Sequence, residues 1–372
     1  MCVVDHVRIC IDRDVGLVKA ECSKTQSCCY IDILRKLFDA IPCRAVEYQN
    51  RLGHVIQIKI HLFDIGDLLP CSGGLSRGHM NRLNAGYAYV RNPMNPHRIS
   101  EVSLSPDVVD GIVFWTKNPT PMLNRLHELQ DYTYYFQFTL TPYGADVEKN
   151  IPSKNDIVIP TFQKLSSMIG KERVVWRYDP ILLNDKYTMQ YHMKYFRVLC
   201  DKLADHTEKC TISFLDLYKN IQRSISSLGI RPLTPEQAEE LAGYFGEVAK
   251  EYGIYIDTCA EDIDLSKYGI GHASCIDRHR LERIGKYKLD IERDKNQRDA
   301  CGCVSSIDLG AYNTCRNGCI YCYANFNQTL VNDCCSKHIP SSPLLYGEVS
   351  AEDVIKPREM KSFRDDQMNL FG

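Results

Sequence analysis

Apolar and polar positions change period in a regular order along this 372-residue chain. Val55-Ile56-Gln57-Ile58-Lys59-Ile60-His61-Leu62 alternates apolar with polar, as a half-buried strand does. Gly111 to Pro119 is a nearly continuous apolar run ended by proline, which predicts a buried strand. Further strands are predicted at Tyr132–Thr141, Arg173–Pro180, Lys209–Leu217 and Ile254–Ala260, where β-branched and aromatic residues gather. Between them the period becomes helical, at Pro121–Leu129, at Ile159–Ile169 stopped by Gly170, at Thr188–Leu203 and at Thr234–Tyr252. The last of these has a strong start signal, with Thr234 as N-cap, Pro235 at the first position and Glu236 and Gln237 behind it. Val90 to Pro96 reads as extended chain punctuated by prolines.

Strand and helix alternating over short links imply parallel strands joined by right-handed crossovers. The expected fold class is therefore α/β, as a partial or complete TIM-like (β/α) barrel. A barrel is preferred to a doubly wound sheet because each strand end carries polar groups that could work: Lys117 and Asn118, Gln137 and Thr139, Arg177 and Asp179, Ser213 and Asp216, and Glu261. Arg177 with Asp179 is the best pair, since both project to one side of their strand and precede a proline turn. Polar residues at strand ends also cap helices and pair in loops, so each residue taken singly is weak evidence.

Residues 1–78 differ from the rest of the chain. Cys2, Cys10, Cys22, Cys28, Cys29, Cys43 and Cys71 lack ligand-like spacing apart from one adjacent pair, and Ile31–Phe38 could form a short amphipathic helix. The expected division is a divergent segment at 1–78, a barrel body at 79–270, a cysteine-rich region at 271–335 and a tail at 336–372. Net charge is −2, so no global basic field advertises nucleic acid. The start, Met1-Cys2-Val3-Val4-Asp5, lacks a basic stretch followed by an apolar one, and no window reaches the roughly 18 apolar residues of a membrane span. A cytosolic protein without membrane partners is expected, whose 18 cysteines serve metal or stay reduced.

The chemistry concentrates in Asn313-Thr314-Cys315-Arg316-Asn317-Gly318-Cys319-Ile320-Tyr321-Cys322. Cys315, Cys319 and Cys322, spaced C-x3-C-x2-C, can bind three irons of a 4Fe–4S cluster from one loop. Gly318 permits the positive φ that such a loop often needs. Zinc is the rival, but it takes four ligands, usually as paired C-x2-C units. A second set, Cys259, Cys275, Cys301 and Cys303, could fill every corner of another 4Fe–4S cluster or hold zinc, with His272 able to replace one thiol. Reduced, unligated thiols are the equal alternative for that set.

The loop's spacing, glycine and aromatic residue resemble the cluster motif of radical S-adenosylmethionine (SAM) enzymes. There the fourth iron binds the amino and carboxylate groups of SAM, and an aromatic at the place of Tyr321 lies against the adenine. Its position near the C-terminus is unusual for that class. WTKNP (Trp115–Pro119), YYFQFTLTPYG (Tyr134–Gly144), WRYDPILL (Trp176–Leu183), SFLDLY (Ser213–Tyr218), TCAE (Thr258–Glu261) and CGCVSSIDLGAYNTCRNGCIYCYAN (Cys301–Asn325) resemble the bacterial domain of unknown function 1848 family, over about Met80 to Phe371. That family is distantly similar to spore photoproduct lyase. Its members are expected to begin near a strand running into a Ser-Arg-Arg-Thr-Asp-Ile-Pro stretch, where this chain has Asp64 to Pro70. A shifted reading frame or divergent start over residues 1 to about 78 is one explanation, and it would cost the barrel a strand.

The resemblance implies a redox enzyme. A reduced cluster would pass an electron to SAM, releasing methionine and a 5′-deoxyadenosyl radical that takes hydrogen from a substrate. An electron donor such as flavodoxin or ferredoxin would supply it. Lys117, Arg177 and Asp179 are the candidate catalytic residues, and Gln137 and Tyr321 the candidate cofactor-binding ones. The tail ends Gln367-Met368-Asn369-Leu370-Phe371-Gly372 after a charged, flexible stalk, Lys356 to Asp366. Gln367, Leu370 and Phe371 resemble the short peptide that docks bacterial repair proteins on the DNA sliding clamp. The substrate suggested by both likenesses is damaged nucleic acid, flipped out of its stack. The alternative is a non-catalytic iron–sulfur or zinc module recruited to DNA by its tail.

Overall fold

A computed structural model describes residues 3–4, 7–11, 18–22, 55–59, 74–216, 221–298 and 300–365, with side chains described from residue 78 onward. The chain forms two compact units, Met1–Arg51 and Leu52–Gly372. In the first, β1 (Val3–Val4), β2 (Val7–Ile11) and β3 (Val18–Cys22) make an antiparallel sheet in that order. The helix expected at Ile31–Phe38 and the peptide with Gln367, Leu370 and Phe371 lie outside the described residues.

The second unit runs β4 (Val55–Lys59), α1 (Gly74–Ala85), β5 (Tyr87–Arg91), β6 (Arg98–Ser103), β7 (Gly111–Thr116), β8 (Tyr134–Thr139), α2 (Ile159–Ile169), β9 (Val174–Ile181), α3 (Met189–Leu203) and β10 (Lys209–Phe214). It continues with α4 (Gln222–Ser226), α5 (Pro235–Glu251), β11 (Tyr255–Thr258), β12 (Gly271–His272), α6 (Arg278–Gly285), β13 (Lys288–Leu289), β14 (Ser306–Asp308), α7 (Gln328–Ser336), β15 (Val354–Pro357) and β16 (Arg364–Asp365). Eight strands form one sheet in the order β12-β11-β10-β9-β8-β7-β4-β14, and every pairing in it is parallel. From β4 to β12 the strands follow one another across the sheet in chain order, which is what successive crossovers of one hand produce. Among the described residues no ladder joins β12 to β14. Val55–Lys59, expected as a strand, pairs with β7 on one side and β14 on the other.

Local signals set the helix ends. Thr234 and Gln237 form a reciprocal capping box at the start of α5, Thr188 accepts from the Tyr191 amide at the start of α3, and Gly170 ends α2 at φ 93°. Thr120–Leu129 winds as 3-10 turns, not as an α-helix, with Pro119 and Pro121 removing amide donors at its start. Helices α2, α3 and α5 cover one face of the sheet. There Phe114, Phe136, Phe138 and Trp176 bury against Phe162, Phe196 and Phe245. Phe196 and Phe245 stack at 3.9 Å with an interplanar angle of 10°. The opposite face carries Val113, Tyr135 and Val175, covered by Cys275, Ile276, Leu281, Leu289, Ile291, Cys301, Cys303 and Val304. Neighbouring residues of one strand thus serve two cores, as the period of two requires.

Two segments make pairings that the sequence did not show. Val90 and Arg91 close β5, which pairs antiparallel with β6, and β15 adds parallel to β6. The charged tail is consequently no loose stalk. Arg91 grips Asp353 through Nη1 at 2.7 Å and Nη2 at 2.9 Å, and the Ser362 hydroxyl and Phe363 amide donate to the buried Asp110 carboxylate at 2.6 and 3.0 Å. Strand β16 pairs with β13. Charged residues gave no apolar period, and long-range partners decide their conformation.

Candidate functional site

The cysteine loop folds onto the C-terminal ends of β7 and β8. Asn313 clasps its neck: its amide donates to the Ala324 carbonyl at 2.9 Å and its Oδ1 accepts from the Phe326 amide at 2.7 Å. Gly318 stands at φ 65°, and a Cβ there would lie 3.0 Å from Asn150 Nδ2. Loop and body exchange backbone bonds, from Ile320 N to Val147 O at 3.0 Å and from Asn150 N to Asn317 O at 3.1 Å. Cys315 is buried, and Cys319 and Cys322 are partly so. Burial pushes the Cys315 thiol well up, and Cys322 and Cys319 push it further, so the three thiols interact electrostatically. Burial also takes Cys319 up to about 12, against the opposing pull of Lys117.

Beneath the loop lies a residue that the sequence did not single out. Glu148 is buried and accepts from Lys117 Nζ at 2.7 Å, from Thr141 Oγ1 at 2.8 Å, and also from Lys154 and the Tyr321 hydroxyl. Burial alone would raise its pKa, but Lys117 and Lys154 hold the carboxyl below its ordinary range. Burial pushes Lys117 down, yet Glu148, then Cys319 and Asp179, more than reverse this and its pKa stands above its ordinary value. Lys154, with less compensation, stays below its own. Tyr321 lies between Lys117, 5.5 Å from its ring, and Tyr143, edge-on at 6.2 Å. No local pattern marks Glu148; the Pro142-Tyr143-Gly144 turn before it reads only as a break.

The second set gathers on the face of the sheet opposite the helices. Cys259 follows β11, Cys275 follows β12, and their sulfurs are 3.1 Å apart. Cys303 accepts from the Ile276 amide at 3.3 Å. Contact with Cys303 brings Cys301 down to about 7 despite burial. Cys275 lowers Cys303, but Cys301 and burial carry it to about 12. The thiols therefore form a chain, Cys259 to Cys275 to Cys303 to Cys301. Arg177 Nη1 is 3.0 Å from Cys275 Sγ, its Nε donates to Asp179 at 2.8 Å, and its guanidinium covers the Trp115 ring at 4.7 Å. Gln137 Nε2 and the Tyr135 hydroxyl both donate to the Cys275 carbonyl, at 2.7 and 2.6 Å. Gln137 is thus engaged with the second set and not with the loop. Ser213 donates to Asp179, and Phe214 N donates to Glu261 at 2.8 Å. His272 is exposed and lies near Asp264.

The residues expected at strand ends are therefore brought together. Lys117 interacts with both Cys319 and Asp179, and Asp179 holds the arginine that touches Cys275. Among the described residues, no three His, Cys, Asp or Glu side chains are placed to hold one metal ion. A cubic cluster spreads its thiolates over separate irons, so convergence on one ion is not what its loop must show. Arg316 Nε, Asn317 Oδ1 and Asn325 Oδ1 in the loop, and Trp115 Nε1 under Arg177, are buried without a hydrogen-bond partner. Such orphans are uncommon in a native core and mark places where another group belongs. The three-thiol donor set fits an iron–sulfur cluster; the two asparagine oxygens are acceptors, which the sulfides and thiolates of a cluster do not satisfy.

Fold and site define an α/β protein with a parallel sheet whose strand ends carry two cysteine sets. Residues 76–324 match the family model "Domain of unknown function (DUF1848)", and the chain belongs to that family. No curated protein matches it. One similar solved structure is a putative alpha-L-fucosidase from Bacteroides thetaiotaomicron VPI-5482, with 10% sequence identity, covering 73% of this chain and 90% of that one at a TM-score of 0.23. A likeness that loose carries no functional argument. No helix among the described residues is long and apolar enough to cross a membrane.

Proposed function

We propose that this protein is a radical SAM-type enzyme on a partial (β/α) barrel. The observation that carries this is the C-x3-C-x2-C loop seated on the strand ends, its three thiols interacting and its aromatic residue anchored to a buried carboxylate. Cys315, Cys319 and Cys322 would hold a 4Fe–4S cluster. With that cluster reduced by an external electron donor and SAM bound, the site would support one-electron cleavage of SAM to methionine and a 5′-deoxyadenosyl radical. Lys117 sets a positive charge beside Cys319, which favours its thiolate. Glu148 fixes Lys117 and Tyr321, and through them the loop. Tyr321 would lie against the adenine. Cys259, Cys275, Cys301 and Cys303 would hold a second metal centre, with Arg177 offsetting its negative charge and Asp179 and Gln137 orienting Arg177 and Cys275. An exposed base of damaged nucleic acid is the substrate class this reading favours.

Anaerobic reconstitution with iron and sulfide, followed by dithionite and SAM, tests it. 5′-Deoxyadenosine should appear with wild-type protein and not with Cys319→Ser. Iron-loaded protein that leaves SAM intact would overturn the proposal.

A further inference from the structure

The rim of the cysteine loop bears an aromatic surface that the proposed chemistry does not use. Tyr312 and Phe326 stack on each other, 5.9 Å between ring centroids and 14° between planes, although they are 50% and 56% exposed. Tyr323, next to Cys322, is 46% exposed. The pair is fixed by the loop's own neck, because Asn313 lies between them at φ 59° and bonds both Ala324 and Phe326. Rigid aromatic faces held in water are a recurrent mark of a binding site.

Charge selects the partner. Arg316 adjoins Cys315, whose carbonyl accepts at 2.7 Å from Asn325, the residue before Phe326. Lys149 is exposed and borders the loop at Gly318. Among the described residues neither cation has a carboxylate partner. Two uncompensated cations, one in the loop that carries the stacked rings and one bordering it, suit a polyanion that also offers π-faces. Single-stranded nucleic acid does so, whereas a duplex hides its base faces.

We propose that Tyr312 and Phe326, with Tyr323 beside them, form a stacking platform for the bases of single-stranded nucleic acid, and that Arg316 and Lys149 receive its phosphates. The inference rests on the reading of nucleic acid as substrate and assigns the surface that presents it.

The test is anisotropy titration of a fluorescein-labelled single-stranded DNA of about ten nucleotides with the full anaerobic protein, without SAM or reductant. Wild type should bind the single strand in preference to the same sequence as duplex. Tyr312→Ala with Phe326→Ala should weaken binding about tenfold or more. Tyr312→Phe, which keeps the ring, should bind as wild type does. Lys149→Gln should flatten the logarithmic salt dependence by about 0.7. Equal affinity of the double-alanine variant and wild type, no binding by wild type, or equal binding of duplex would each overturn the platform. SAM cleavage is measured separately, so 5′-deoxyadenosine formed by a protein that ignores the oligonucleotide would sink this inference and leave the enzymatic reading standing.

Discussion

The two cysteine sets reach their places by opposite routes. Cys315, Cys319 and Cys322 sit on one short loop, which backbone bonds, one glycine and one asparagine hold in shape. Cys259, Cys275, Cys301 and Cys303 come from separate segments of the chain, and Gln137, Tyr135 and Arg177 hold Cys275 among them. The first set depends on local geometry and one buried carboxylate; the second depends on the whole fold. Damage to the loop should therefore spare the fold, and damage to the sheet should reach both sets.

The largest effect expected is on chemistry. Cys319→Ser should reduce 5′-deoxyadenosine formation to background, while Cys259→Ser should keep the loop's iron and lose only the metal of the second set, as read by iron and zinc content per chain. Equal losses from both variants would erase the distinction between the sets. Next is Glu148→Ala, which leaves Lys117 and Lys154 facing each other without their shared carboxylate. Breaking a buried pair in this way costs about 3–5 kcal/mol, measurable by urea denaturation, and the loop should release iron faster than the second set does.

Acid probes the scaffold that both sets share. His192 is buried, its Nε2 donates to Leu182 O at 2.9 Å, and its Nδ1 then accepts from the Tyr178 hydroxyl at 2.8 Å. Burial lowers its pKa to about 4, against the opposing pull of the Leu182 carbonyl. The unfolded chain takes up this proton near its ordinary value of about 6.5. Between those values the unfolded state binds more protons, so stability falls as pH falls from about 6.5 to about 4, by about 3 kcal/mol in all. Comparing the pH dependence of unfolding in wild type and His192→Gln isolates this contribution, and identical slopes would remove it. The smallest effect expected is from Gly318→Ala, which strains a residue at φ 65° and crowds Asn150. It should cost about 1–2 kcal/mol, visible as a lowered Tm of the loop's iron absorption more than of global unfolding.

Much of the sheet was legible because its period was undisturbed. Six of the strands, β4 and β7 to β11, and helices α2, α3 and α5 fall where the apolar pattern puts them, with shifted ends. The capping box at Thr234 was readable because Thr234 and Gln237 are its own components. The hairpin of β5 and β6, the short helices α6 and α7 and the paired tail were not legible, since polar and charged residues carry no period. Arg177, Asp179 and Lys117 were visible as strand-end polar groups. Gln137 was visible too, but its partner, the Cys275 carbonyl, lies 138 residues away and left no trace nearby.

The sequence alone determined the strand and helix order, the C-x3-C-x2-C spacing of the loop and the glycine that lets it turn, because each depends on residues a few positions apart. Only the tertiary structure decided that Glu148 anchors the loop, that four scattered thiols form one chain, and that Arg177 stands against them. Those contacts join side chains on different strands, and a buried charge takes its meaning from partners that only the folded chain supplies.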